Sequence, residues 1–275
     1  MSFFSFFHSY LPSPIIFSWG PLTFHWYGLL VAVAVVAGYT LARRNFRQHG
    51  GGIGELDRFL GWAILAGLAG ARLLDVFLFE WWYFRDHLTS ALYLWDGGLS
   101  WHGALVGGLV VLCWQYRRSL AGLKSVLDLL APALALGQAV GRWGNYFNQE
   151  LFGLPTSLPW GIPIAESFRP LPYATSIYFH PVFLYESLAL LLLAWLLWRL
   201  RRRNRAPGSV FAVYLAASGL LRLMLEFLRI DEQLVIGGIR SGMWLAAVAV
   251  IIGASLWLTI RRRAQTAVEG VISRS

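Results

Sequence analysis

Seven apolar runs, each close to the ~20 residues that a helix needs to cross a bilayer, leave this chain few folds to choose from. They lie at 24–41, 60–79, 99–116, 126–140, 182–200, 210–228 and 242–260. The fourth is the shortest and can extend through Gly141 to Gly144. Only 13% of the 275 residues are charged and 57% are hydrophobic, a balance that suits lipid rather than water as the surrounding solvent. The expected fold is all-α: a polytopic membrane protein with seven transmembrane helices, forming one integral membrane domain over 1–275. Its fourteen tryptophans fit the same class, because indole rings collect at membrane–water interfaces.

Basic residues give the direction of the spans. Arg43, Arg44, Arg47 and Arg58 fall between the first and second runs; Arg117, Arg118 and Lys124 between the third and fourth. Arg199, Arg201, Arg202, Arg203 and Arg205 fall between the fifth and sixth, and Arg261, Arg262, Arg263 and Arg274 follow the seventh. By the positive-inside rule that side is cytoplasmic. The N-terminus is then outside, the C-terminus inside, and the Pro-rich segment 142–180 lies on the outer face. The net charge of +9 is spent on this pattern, so nucleic acid is not an expected partner; the lipid bilayer is.

Several other classes fall away. Cys113 is the single cysteine and sits in an apolar run, which excludes an internal disulfide and a thiol-based metal site. Residues 1–20 show no basic start, long apolar core or small-residue cleavage site, so no removable signal peptide is expected. No internal repeat argues for a transporter of inverted repeats. Neither Gly-x-Ser-x-Gly nor paired intramembrane aspartates argue for a protease.

Charged side chains inside apolar runs are costly and mark function or pairing. Arg222, Glu226 and Arg229 in the sixth run are spaced four and then three apart, so they share one helical face. Arg222 and Glu226 could simply neutralise each other, but two arginines against one glutamate favour an anionic guest. Arg72 and Asp75 are three apart and read as a local structural pair. Asp128 reads as a helix-start or interface carboxylate. His102, after the turn Asp96-Gly97-Gly98-Leu99-Ser100-Trp101, is either structural or an acid/base group. Tyr27 is either a phosphate donor or a belt aromatic. At the end of the fourth run Gly141-Arg142-Trp143-Gly144-Asn145-Tyr146-Phe147-Asn148-Gln149-Glu150-Leu151-Phe152-Gly153 packs a guanidinium, a carboxylate and three amides into a few turns. Five separate stretches thus bring polar groups to one depth near the outer surface, as expected of a positive cavity for a phospholipid headgroup.

In this order the motifs His25-Trp26-Tyr27-Gly28, Gly97-Gly98-Leu99-Ser100-Trp101-His102-Gly103, the long run from Gly141 to Gly153, His180-Pro181-Val182-Phe183-Leu184-Tyr185-Glu186 and Arg222-Leu223-Met224-Leu225-Glu226-Phe227-Leu228-Arg229 resemble the bacterial prolipoprotein diacylglyceryl transferases over nearly the whole chain. The resemblance implies transfer of the diacylglyceryl group of phosphatidylglycerol to the lipobox cysteine of a preprolipoprotein signal peptide. It implies a thioether product, released glycerol phosphate, a site facing the outside of the bacterial cytoplasmic membrane, and no metal or organic cofactor. In such a reaction His102, Arg142 and Arg222 are the candidate catalytic residues. Tyr27, Asn145, Glu150, Gly153, Glu226 and Arg229 are the candidates for substrate binding. The arginines would stabilise the leaving phosphate. Glu150 and Glu226 would hold them in place, and either His102 or one of these glutamates would be the base. Ala104, Phe183 and the run Gly237-Gly238-Ile239-Arg240-Ser241-Gly242 depart from the family pattern. The alternative function is a transporter or flippase for an anionic phospholipid or solute, using the same cavity.

Overall fold

The computed structural model describes residues 7–20, 22–93, 97–203, 206–230 and 235–272, the side chains of 264 and 267–272 excepted. Asp96, Arg205 and Arg274, and residues 1–6 of the N-terminal stretch, lie outside the described residues. The chain is mostly helical, with α1 (Trp26–Gln48), α2 (Ile53–Leu74), α3 (Trp101–Tyr116), α4 (Leu120–Phe147), α5 (Val182–Arg203), α6 (Ser209–Glu226) and α7 (Ser241–Ile272). Among the described residues, three two-stranded antiparallel ribbons accompany them: β1 (Ile15–Trp19) with β2 (Leu22–His25), β3 (Ile162–Pro163) with β4 (Tyr178–Phe179), and β5 (Val235–Ile236) with β6 (Ile239–Arg240).

Among the described residues six helical segments are long and apolar enough to cross a membrane: α1, α2 with its one-turn π extension to Phe79, α4, α5, α6 and α7. The third expected run forms α3, but with 16 residues it is about 24 Å long, short of a ~30 Å hydrocarbon core. Its two ends explain the difference. Gly97 and Gly98 hold positive φ just before it, and a turn at Arg117 and Arg118 precedes the start of α4 at Leu120.

The residues form two compact units, Met1–Ala42 with Leu127–Ser275, and Arg43–Val126. The first has an apolar core at which Ala131, Ala135 and Ala139, one turn apart on α4, meet Leu190, Leu193 and Leu197 of α5 and Val210 and Tyr214 of α6. Small side chains every fourth residue bring the backbones close, which is how helices associate in lipid, where burial from water supplies no drive. Pro132 is fully buried in α4, and the helix runs on past it, as packed membrane helices allow. A second apolar cluster, with Tyr146, Phe152, Ile162, Phe179 and Phe183, fixes the segment that follows α4.

In the second unit α2 and α3 cross at glycines. A Cβ built on Gly103 would lie 2.1 Å from the Gly70 carbonyl oxygen, and one on Gly107 2.1 Å from that of Ala66. At the α2 end Arg72 donates to five carbonyls, those of Ala91, Gly97, Gly98, Ser90 and Tyr93, at 2.7–3.1 Å. Asp75 lies 3.6 Å from the same guanidinium. The expected structural pair is therefore a clamp on the loop ahead of α3. Asp128 is likewise structural: its carboxylate accepts from the backbone N–H groups of Gly208 (2.7 Å) and Phe211 (2.8 Å) and caps α6.

Candidate active site

The long polar motif forms the last two turns of α4 and the bend after it. Gln149 and Leu151 both adopt positive φ, 55° and 54°, a conformation uncommon for residues with a Cβ. Gln149 offsets this with its buried side chain, which donates to the Pro12 carbonyl (2.9 Å) and accepts from the Ala165 N–H (2.7 Å). The bend returns the chain so that Glu150 accepts from Asn145 Nδ2 (2.9 Å) and Asn148 Nδ2 (3.2 Å). Gly144 is a place where a side chain is excluded: a Cβ there would meet the Tyr27 ring at 2.8 Å. Trp26 stacks on Phe147 at 4.5 Å. The first turn of α1 is thus seated on the last turn of α4, and Tyr27 lies in electrostatic range of Glu150 and Arg142.

Four guanidinium groups and two carboxylates gather in this unit. Arg142 donates from Nη2 to Glu186 Oε1 at 2.8 Å, and Arg222 Nη1 lies 3.7 Å from Glu186 Oε2. Arg222 Nε also lies 3.3 Å from Glu226 Oε2, which Arg229 Nη1 approaches to 3.2 Å. Arg240 Nε lies 3.2 Å from Glu226 Oε1, and its Nη1 donates to the Arg229 carbonyl. The carboxylates are almost fully buried, whereas the Arg142 and Arg222 side chains each keep 25% exposure. The arginines therefore present their free edges while the glutamates sit behind them. The buried Nε of Arg142 has no hydrogen-bond acceptor among the described residues, an unmet donor of the kind that costs about 1–3 kcal/mol.

Neighbouring contacts fix this alignment. Trp143 Nε1 donates to Ser187 Oγ (3.2 Å), which donates to the Ala139 carbonyl (2.8 Å), tying α4 to α5 beside Glu186. Tyr185 Oη accepts from Trp160 Nε1 (2.9 Å) and lies 3.1 Å from His180 Nδ1. Gly153 is backbone-paired with Arg229. A Cβ there would meet the Leu228 carbonyl at 2.8 Å, so the glycine lets the segment after α4 reach the end of α6.

The geometry brings Arg142 and Arg222 together as expected and sets Tyr27, Asn145, Glu150, Gly153, Glu226 and Arg229 in the same unit. Two residues that hold the cluster were absent from the expected site. Glu186, not Glu150, is the carboxylate that holds Arg142, since Glu150 is held by amides. Glu186 had a readable signal: a carboxylate one turn into an apolar run must find a partner. Arg240 comes from a ribbon far along the chain and had none. His102 belongs to the second unit. It is exposed in the first turn of α3, with its ring centroid 3.8 Å from that of Trp101 and 6.3 Å from that of Phe79.

The sequence model of a family described as prolipoprotein diacylglyceryl transferase matches residues 14–259. The phosphatidylglycerol–prolipoprotein diacylglyceryl transferase of Parasynechococcus marenigrum is 41% identical over 268 residues, covering 92% of this chain and 96% of that protein. The Synechococcus elongatus protein of the same name is 41% identical over 248 residues (88% and 85%). That of Thermotoga maritima is 37% identical over 254 residues (91% and 86%).

Proposed function

The chain belongs to the prolipoprotein diacylglyceryl transferase family, and from that premise we propose that it moves the sn-1,2-diacylglyceryl group of phosphatidylglycerol onto the lipobox cysteine of a preprolipoprotein. The observation that carries the reading is the meeting of Arg142 and Arg222 on Glu186, with guanidinium edges exposed and the Arg142 Nε donor unmet. A lipid phosphate is the acceptor that such a pair fits, because its oxygens take parallel N–H donors.

The chemistry follows from that grip. The cysteine sulfur attacks the glycerol carbon that bears the phosphate; the S–C bond forms as the C–O bond breaks. The electron pair of the C–O bond passes to the phosphate oxygen, and glycerol phosphate leaves. Arg142 and Arg222 stabilise the negative charge gained by that oxygen. Tyr27 and Asn145 orient the headgroup, Gly153 lets the segment after α4 close on the end of α6 beside Arg229, and Glu226 and Arg229 hold Arg222 in line. A free thiol, with a pKa of about 8.5, must give up its proton. Glu186 and Glu226 are engaged by arginines and Glu150 by two amides. Either His102 or one of Glu150 and Glu226 is the base in this reading.

The helix pattern and the basic clusters support seven spans with α3 as the third, the N-terminus outside, the C-terminus in the cytoplasm and the site toward the periplasmic face of the bacterial inner membrane. The homologue names give no support to the transporter alternative. Incubating the purified protein with phosphatidylglycerol and a lipobox peptide, followed by mass spectrometry, tests the reaction. A peptide gaining one diacylglyceryl group is expected, and Arg142→Ala should abolish the gain. Full transfer by that variant would overturn the site; lipid movement across the bilayer with no thioether would overturn the function.

A further inference from the structure

At the end of α2 and α3 opposite the Arg72 clamp, a groove of about 520 Å³ opens between the two helices. We infer that it holds the headgroup of an anionic phospholipid of the inner leaflet. It shares no residue with the Arg142 cluster.

Arg58, Arg117 and Arg118 line the groove against a single carboxylate, Glu55, so its lining is positive by two charges. Trp62 and Trp114 form its walls, one from each helix, and stay 54% and 60% exposed. The Arg117 guanidinium lies 5.7 Å over the Trp114 ring. Glu55, Arg58 and Trp62 are spaced three and four apart, so they occupy one face of α2. Indoles with one apolar edge and one N–H donor settle at headgroup depth. Basic grooves between helices at the cytoplasmic surface suit phosphodiester headgroups. A hydrated inorganic phosphate would gain nothing from two indole walls, whereas the glycerol and first methylenes of a lipid would lie along them. The size is within the roughly 300–1,000 Å³ of sites that bind small molecules.

The test places a photo-crosslinking phenylalanine analogue at Trp114 of the full chain, reconstituted in nanodiscs with phosphatidylglycerol as the minor lipid in phosphatidylcholine. Arg142→Ala is included so that no lipid is consumed. Mass spectrometry of the adducts should show phosphatidylglycerol enriched about fivefold or more over its share of the bilayer. Arg58→Gln, Arg117→Gln and Arg118→Gln together should return the adducts to the bulk ratio. If these substitutions prevent folding, the matching Lys triple variant, which keeps the charge, should retain the enrichment. Free glycerol phosphate should not compete. Adducts at the bulk ratio in the Arg-bearing protein, enrichment that survives the Gln variant, enrichment lost in a folded Lys variant, or competition by soluble phosphate would each overturn the inference.

Discussion

Glu186 places one carboxylate between two guanidinium groups that would otherwise repel each other. Its side chain is 5% exposed, so the charge is desolvated and its removal leaves Arg142 short of its strongest acceptor. Glu186→Gln keeps the shape and loses the charge. Charged hydrogen bonds contribute about 1.5–3 kcal/mol, so transfer should fall roughly 10- to 100-fold. Steady-state kinetics with the lipobox peptide measures this; unchanged kcat/KM would show that the arginines align without it. Gly144 offers a second test, because Ala there would drive a methyl group into Tyr27. Gly144→Ala should cost about 1–3 kcal/mol by overpacking and reduce transfer by displacing the Tyr27 hydroxyl, read by thermal unfolding beside kinetics. At this scale the sequence was legible where residues are close along the chain. Arg222, Glu226 and Arg229 could be read as one face from spacing alone, and Arg72 with Asp75 as a pair. The ligands joining distant elements, Glu186 to Arg142 and Arg240 to Glu226, depend on which helices lie side by side, and hydropathy does not encode that.

Helix α3, with 16 residues, is shorter than a bilayer core is thick, and it packs closely against α2. Gly103 and Gly107 lie one turn apart on the face pressed against α2, with backbone oxygens of Gly70 and Ala66 where side chains would begin. Gly108, next in the chain, has nothing within 4 Å of a built Cβ. The two positions make a matched pair. Gly107→Ala should destabilise the protein by about 1–3 kcal/mol, because backbone cannot yield as a flexible side chain can. Gly108→Ala should be neutral or gain up to about 1 kcal/mol from helix propensity. Thermal unfolding in detergent measures both, and equal effects would remove the glycine contact as the reason α3 packs closely. Gly103 and Gly107 stand four apart in the sequence. Read as hydropathy, however, a glycine only weakens a run, and its role appears once the facing helix is known.

On the scale of the whole molecule, the distribution of charge carries the argument for orientation. Several arginines near the helix ends lie over tryptophans of their own helix: Arg199 over Trp195 at 4.2 Å, Arg202 over Trp198 at 3.8 Å and Arg261 over Trp257 at 4.6 Å. Indole and guanidinium paired in this way suit headgroup depth. In the proposed orientation the segment with β3 and β4 belongs to the outer face, along with the Arg142 cluster. With Cys113 replaced by Ala, a cysteine in place of exposed Thr175 should react with a membrane-impermeant maleimide added outside sealed spheroplasts. A cysteine in place of exposed Ala121 should react only after permeabilisation. The reverse pattern would put the arginine pair on the cytoplasmic face, where a lipobox cysteine delivered to the outer surface could not meet it, and would break the proposed reaction even if the pair still bound lipid phosphate.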